Sequence, residues 1–207
     1  MCKVFLEGPY NTGSTMATNI NGSLPTTSPY IEDPREVSLI PIGAVDWVLL
    51  ELRNEPNGSS GSEYHSCFIK SNGILIADDG SEGIKLAING SKYIAIKHRN
   101  HLGVMSNNPV LFAFSTTSIY DFSTALNKAY TLGPDPMIEI DTSPSIYGMF
   151  AGETNESGIV TNADKDLINT NLNISGYYTS DTNMSEIVTN ADKDPINRNL
   201  NKSTQVP

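Results

Sequence analysis

The residues best placed to do chemistry lie near the C-terminus and carry oxygen. Glu153, Asn155, Ser157, Ile159 (through its carbonyl), Thr161 and Asp164 stand at positions 1, 3, 5, 7, 9 and 12 of one stretch, with Gly158 at position 6. That spacing is how a calcium loop wraps a hard cation in carboxylate, amide, hydroxyl and carbonyl oxygens, with glycine making the sharp turn. Asp181, Asn183, Ser185, Ile187, Thr189 and Asp192 repeat the pattern 28 residues later. Between 153–173 and 181–201, 16 of 21 positions are identical, so the unit is duplicated.

Each loop departs from the ideal. Glu153 at position 1 is one methylene longer than the customary Asp, and position 5 is Ser in both copies. Position 6 of the second copy is Glu186, where glycine takes the left-handed backbone far more easily. About two carboxylates remain among the ligands of each loop, and affinity rises with ligand charge, so the expectation is weak calcium sites suited to millimolar calcium. The alternative expectation is a loop pair kept for packing, without metal. Val160 and Val188, at position 8, are expected to join the loops through a short β bridge. A helix is expected after each loop, over 163–172 and 191–200, with Pro195 removing a hydrogen bond from the second.

The rest of the chain reads as short strands and turns. Residues 3–7 form a strand stopped by Gly8-Pro9, and 45–53 form the strongest strand, apolar on both faces at its middle. Strands 67–70 and 74–76 flank Ser71-Asn72-Gly73, and strands 85–88 and 93–97 flank Asn89-Gly90, whose positive φ angles suit tight hairpins. Asn57-Gly58-Ser59-Ser60-Gly61 is a flexible turn, and 110–114 and 118–122 complete the strands. Residues 11–43, with Pro25, Pro29, Pro34 and Pro41, form a long ordered excursion without helix. A short helix capped by Ser123 is expected over 123–130. The spacing predicts a mainly β protein: an antiparallel β-sandwich of Ig-like or jelly-roll type over 1–130, a packed linker over 131–150, and a small α loop pair over 151–207.

Composition excludes several function classes. The net charge is −10 with no basic run, which disfavours nucleic acid. No G-x-S-x-G, phosphate loop or Ser-His-Asp set stands out, so a non-enzymatic role is expected. No run approaches the ~20 apolar residues of a membrane helix. Cys2 and Cys67 are either one disulfide or two buried thiols. His98 and His101 are spaced to chelate zinc, but zinc needs three or four ligands. The simpler reading ties the strand end at 98–101 to the loop at 31–35. Trp47 reads as core, whereas Tyr10, Tyr30 and Tyr64 are candidate sugar-stacking rings. Seven Asn-x-Ser sequons, at Asn21, Asn57, Asn89, Asn155, Asn173, Asn183 and Asn201, admit glycans in a permissive host.

A resemblance adds to this reading. Val4-Phe5-Leu6-Glu7-Gly8-Pro9-Tyr10-Asn11, Pro29-Tyr30-Ile31-Glu32-Asp33-Pro34-Arg35, Ala44-Val45-Asp46-Trp47-Val48-Leu49-Leu50-Glu51-Leu52-Arg53, Ile96-Lys97-His98-Arg99-Asn100-His101-Leu102 and the terminal Ser203-Thr204-Gln205-Val206-Pro207 carry it. Together they resemble the C-terminal region of large secreted proteins of Bacteroidetes-type bacteria, and the tail resembles a dockerin type I pair. The resemblance implies a β-sandwich followed by calcium repeats, displayed outside the cell. Dockerin loops elsewhere bind calcium and, once folded, dock onto cohesin partners. The expectation is an extracellular structural or assembly protein, a cell-surface or filament subunit that contacts itself or another surface protein. A polar chain end of this kind frays unless something holds it, which favours neighbours in an assembly. The alternative is a binding module, for protein docking or for carbohydrate.

Overall fold

The computed structural model describes residues 1–58, 61–113 and 119–207. Ser59, Ser60 and residues 114–118 lie outside them, and with them part of the expected turn at 57–61 and of the strands at 110–114 and 118–122. In chain order the strands are β1 (Cys2–Lys3), β2 (Tyr10–Asn11), β3 (Thr15–Met16), β4 (Ala44–Arg53), β5 (Glu63–Lys70), β6 (Leu75–Ile76), β7 (Gly90–His98), β8 (His101–Met105), β9 (Val110–Phe112), β10 (Tyr120–Asp121), β11 (Ile138–Thr142) and β12 (Ser145–Gly148). Two short helices follow, α1 (Asp164–Thr170) and α2 (Lys193–Arg198). None is long and apolar enough to cross a membrane.

The organising element is an antiparallel sheet ordered β6-β5-β4-β7-β8, with β9 paired to the start of β7. All ten residues of β4 are buried, as its apolar run predicts for a central strand. Alternation along the pleat places Trp47, Leu49, Glu51 and Arg53 on one face and Asp46, Val48, Leu50 and Leu52 on the other. Trp47 stacks on Phe68, its register partner, with ring centroids 3.8 Å apart, and its indole N–H donates to the Pro25 carbonyl at 2.8 Å. Val4, Phe5, Leu6, Phe122, Met137 and Met149 belong to the same apolar cluster. The chain is mainly β, as expected, but opposite the large sheet stand short two-stranded ladders, β1-β10, β2-β3 and β11-β12, rather than one continuous second sheet.

Several local expectations give way to tertiary packing. Residues 85–88 form no strand, and 93–97 pair with β4 and β8 instead of folding back on them. This buries Ile94 and Ile96, each worth about 1.5–3 kcal/mol, which outweighs a local turn preference. The strand expected over 3–7 shrinks to β1 plus isolated bridges from Lys3 to Ile74 and from Leu6 to Met149. In place of a helix over 123–130 there are two 3₁₀ turns, Phe122–Thr124 and Leu126–Lys128. The cap is Asp121, not Ser123: its Oδ1 accepts from the Ser123 backbone N–H at 2.9 Å. The expected linker over 131–150 holds the β11-β12 hairpin, with Met137, Met149 and Phe150 buried. The excursion over 11–43 is fixed by side chains: Asn21 Nδ2 donates to the Ala44 carbonyl, and Asp33 Oδ2 accepts from the Ser66 backbone N–H.

Cys2 and Cys67 are two free, buried thiols. Burial, which disfavours the thiolate, pushes Cys2 up to about 12 and raises Cys67 as well. Neither is expected to react while the chain is folded. Iodoacetamide at pH 8 should label neither cysteine in the native protein and both after denaturation, counted by intact mass. Fast labelling of the native chain would contradict this packing.

Candidate calcium loops and their junction with the sheet

The twelve candidate ligands lie in two loops of six, each tied by internal hydrogen bonds. In the first, Glu153 Oε1 and Asn155 Oδ1 both accept from the Ser157 backbone N–H, at 2.7 and 3.0 Å, and Ser157 Oγ donates to the Ile159 carbonyl at 3.0 Å. Asp164 reaches across the loop: its Oδ1 accepts from Thr154 N–H and its Oδ2 from Thr161 N–H, at 2.7 and 2.8 Å. The second loop repeats four of these five bonds. The exception is Asp192 Oδ1, which accepts from Asn183 N–H, one position on from the equivalent of the Thr154 N–H that Asp164 engages. Glu186 N–H adds a bond to Asp181 Oδ2. Asp181 Oδ1 and Asn183 Oδ1 accept from Ser185 N–H, Ser185 Oγ donates to the Ile187 carbonyl, and Asp192 accepts from Asn183 N–H and Thr189 N–H.

The donor set is carboxylate, amide, hydroxyl and carbonyl oxygen, the kind that suits calcium rather than a softer metal. Among the described residues no three His, Cys, Asp or Glu side chains gather as a metal cluster. Each loop brings two carboxylates and neutral oxygens. Burial raises Glu153, helped by the nearby Asp164, while backbone N–H groups pull it back. Burial raises Asp181 to about 6, with the Asp192 charge adding to it. Each loop therefore concentrates negative charge that its own residues do not neutralise.

The two copies are joined reciprocally. The expected bridge between the loops themselves is absent. Ile159 bridges to Ser203 and Ile187 bridges to Ser175, so each loop pairs with the segment that follows the other copy's helix. Val160 N–H donates to the Lys202 carbonyl and Val188 N–H to the Ile174 carbonyl. The exchange is two-fold because Ser175 and Ser203 are themselves equivalent positions. It lets Val160, Val188, Ile168 and Ile196 meet in one small core together with Leu102 and Phe150 of the sheet side. The helices are shorter than expected. Pro195 sits buried in the first turn of α2, where its missing N–H is tolerated.

A polar junction fastens this pair to the sheet. Asp46, buried in β4, accepts from Arg99 Nε at 2.8 Å and from the Tyr177 hydroxyl at 2.8 Å, and lies 3.1 Å from His98 Nε2. Burial alone would raise Asp46, but Arg99 and His98 hold it below its ordinary value. Arg99 also donates to the Tyr178 carbonyl and lies over the Tyr177 ring, 4.3 Å from its centroid. Asn100 Nδ2 donates to the carbonyls of Asp181 and Thr179. Glu7 accepts from Asn199 Nδ2 at 2.6 Å and from Arg198 at 3.0 Å. The chain end is held from within: Arg53 Nη1 donates to Pro207 O, and Thr204 Oγ1 to the Gly103 carbonyl. Fraying therefore gives no reason to invoke a neighbour. Arg53 is itself locked on buried Glu51, whose burial is overridden by Arg53 and Lys97 to leave it at about 2.

The histidines belong to this junction and not to a zinc site or to the 31–35 loop. Gly8 N–H donates to His101 Nε2 at 3.1 Å, so the His101 proton must sit on Nδ1. That proton faces Asn100 Oδ1 at 2.8 Å and His98 Nδ1 at 3.0 Å, so His98 carries its own proton on Nε2, toward Asp46. The sequence contained one signal for all this: an acid, Asp46, near the start of an apolar strand. Nothing local marked Gly8 or Tyr177 as its distant company.

The candidate sugar platforms fare less well. Trp47 is fully buried, and burial raises the Tyr30 hydroxyl, which donates to the Trp47 carbonyl. Tyr64 is covered by Lys97, whose Nζ is 5.7 Å from the ring centroid, and Tyr10 packs edge-on against Phe5. The Asn21 amide is taken by backbone carbonyls, whereas Asn155, Asn173 and Asn201 are exposed.

No protein-family model matches the chain, and no curated protein matches it. Among solved structures it is similar to an N-terminal interface mutant of the type II cohesin–X–dockerin complex of Acetivibrio cellulolyticus, at 14% identity over 98% of this chain and 96% of that chain, with a TM-score of 0.48. It is also similar to a C-terminal interface mutant of that complex, at 14% identity over 98% and 95%, with a TM-score of 0.46.

Burial lowers the pKa of both histidines, His101 furthest because His98 and Arg99 face it as well. Bases depressed on folding take up protons more readily when unfolded, so their contribution is complete above about pH 6.5 and is lost as the pH falls below it. Nitrogen NMR of the folded protein at pH 6 should show neutral rings, with the proton on Nδ1 in His101 and on Nε2 in His98. An imidazolium signal from either at that pH would refute the assigned chain of bonds.

Proposed function

We propose that this chain is a non-enzymatic, extracellular assembly module, in which a calcium-stabilised loop pair of dockerin type is held rigidly on a β-sandwich for protein–protein docking. The observation that carries the reading is the pair of oxygen-rich loops, related by two-fold exchange, in which buried carboxylates (Glu153 with Asp164, Asp181 with Asp192) converge beside more exposed neutral oxygens. A divalent ion would balance their charge. The loops' donor chemistry supports calcium, and their low carboxylate count supports an environment where calcium is millimolar, as outside the cell. Partners on this reading are another surface protein or a second copy of the chain. The carbohydrate alternative would rest on Tyr10, Tyr30 and Tyr64, which are half-buried and already engage Phe5, the Trp47 carbonyl and Lys97.

A ligand that binds only the folded state raises the melting temperature. In millimolar calcium at pH 7.5 the midpoint should exceed that in chelator by several degrees. Calcium needs the ionised carboxylate, and Asp181 takes up its proton near pH 6. The calcium-induced shift should therefore shrink steadily as the pH is lowered from 7.5 to 5. No shift at pH 7.5 would overturn the calcium reading and leave the pair as a packing unit.

A further inference from the structure

The two loops are near-copies in sequence, yet they meet different surroundings. Position 4 is Glu156 in the first loop and Met184 in the second, and both have left-handed backbones, with φ of 59° and 57°. Glu156 is exposed, while Met184 is buried in the apolar cluster that contains Trp47 and Phe68. Position 6 is Gly158 in the first loop and Glu186 in the second, at φ of 77° and 80°. A side chain rarely adopts that backbone. Glu186 is held there from outside the loop: its Oε1 accepts from Ser23 Oγ at 2.6 Å. The backbone beside it is equally committed. A Cβ on Gly8 would stand 2.0 Å from the Thr182 carbonyl, so the N-terminal segment touches the second loop where only glycine fits.

We propose that the second loop is a lock that joins the repeat pair to the sandwich, and that Met184 and Glu186 are its working parts rather than signs of decay. Met184 plugs the sandwich core, Glu186 engages Ser23, and the Asp181 and Thr182 carbonyls meet Asn100 and Gly8. The first loop has none of the equivalent contacts at positions 4 and 6, where Glu156 and Gly158 border a cavity of about 490 Å³ beside Lys97 and Thr204. The consequence is a fixed geometry in which sandwich and repeat pair open together, with the first loop as the end left to respond to its surroundings. The lock stands on these contacts alone, and any control of it by calcium rests on the function proposed above.

The chain has one tryptophan, Trp47, so its fluorescence reports the sandwich, while hydrogen exchange of the amides in 153–173 and 181–201 reports the repeats. In chelator, the wild-type repeats should lose protection at the same denaturant concentration at which Trp47 is exposed. Met184→Ala should lower the Trp47 midpoint by about 5 °C or more, as expected for a buried side chain lost from a chain of this size. Ser23→Ala, the milder change, should let the repeat amides exchange while Trp47 is still buried. Glu156→Ala, at the matching position of the first loop, should change neither. The lock is overturned if Met184→Ala and Glu156→Ala behave alike, or if the wild-type repeats open well before Trp47. Repeating the melts in millimolar calcium separates the two ideas: a coupled wild type that ignores calcium sustains the lock and removes the calcium reading.

Discussion

A carboxylate buried in an apolar strand must be given partners, and much of this architecture follows from meeting that demand at Asp46. An isolated charge buried in protein costs far more than the ~5–15 kcal/mol by which a whole domain is stable. The turn between β7 and β8 therefore has to deliver His98 and Arg99 to the end of β4. Arg99 in turn needs the Tyr178 carbonyl, and the second Asp46 oxygen needs the Tyr177 hydroxyl, so the repeat pair is called to the same place. His98 stays neutral only if His101 supplies its proton on Nδ1, and that orientation leaves Nε2 to receive Gly8. One acid thus aligns the sheet, the N-terminal segment and the repeats. Such a network is a poor source of net stability, since apolar replacements are often no worse. Removing a single partner, however, costs about 3–5 kcal/mol. Its effect here is to admit one docking geometry and penalise the others.

The duplicated unit shows the same logic from the other side. A two-fold object resting on an asymmetric support has to break its symmetry where it touches that support. The identical positions build what the copies share: Val160 with Val188, Ile168 with Ile196, and the loop-spanning Asp164 with Asp192. The five positions that differ include those that face unlike neighbours. Met184 replaces Glu156 at the sandwich core, Glu186 replaces Gly158 at Ser23, and Arg198 replaces Thr170 where Glu7 approaches. At three of the five differing positions, divergence between the copies therefore coincides with contact to the rest of the chain.

What the sequence made legible were features set by near neighbours in the chain. The apolar run at β4, the glycine-marked turn before β6 and the period of the repeat all came through, because strand burial and turn geometry are decided within about ten residues. The hairpin expected over 85–97 did not, because its second strand had a better partner far away in β4. The repeated ligand positions were read from spacing. Their mode of pairing was not, since the bridge from Ile159 to Ser203 spans 44 residues of chain and depends on where two helices end. The junction was the least legible. Tyr177 is an ordinary residue between turns until Asp46 gives it a role, and the seemingly damaged Glu186 becomes intelligible only beside Ser23.

The choice of Ser at position 5 in both loops bears on how such a module would respond to metal. An Asp there can only accept hydrogen bonds, so an empty loop would be left with unneutralised charge and an unpartnered carbonyl at position 7. Ser157 and Ser185 instead donate to the Ile159 and Ile187 carbonyls within each loop. A calcium ion entering the loop has to displace bonds that each contribute about 0.5–1.5 kcal/mol. It gains in return the relief of carboxylates that burial has made costly, most clearly Asp181 beside Asp192. The two terms have opposite sign. On the calcium reading proposed above, Ser at position 5 would lower affinity while its hydrogen bond to the position-7 carbonyl holds the loop's shape.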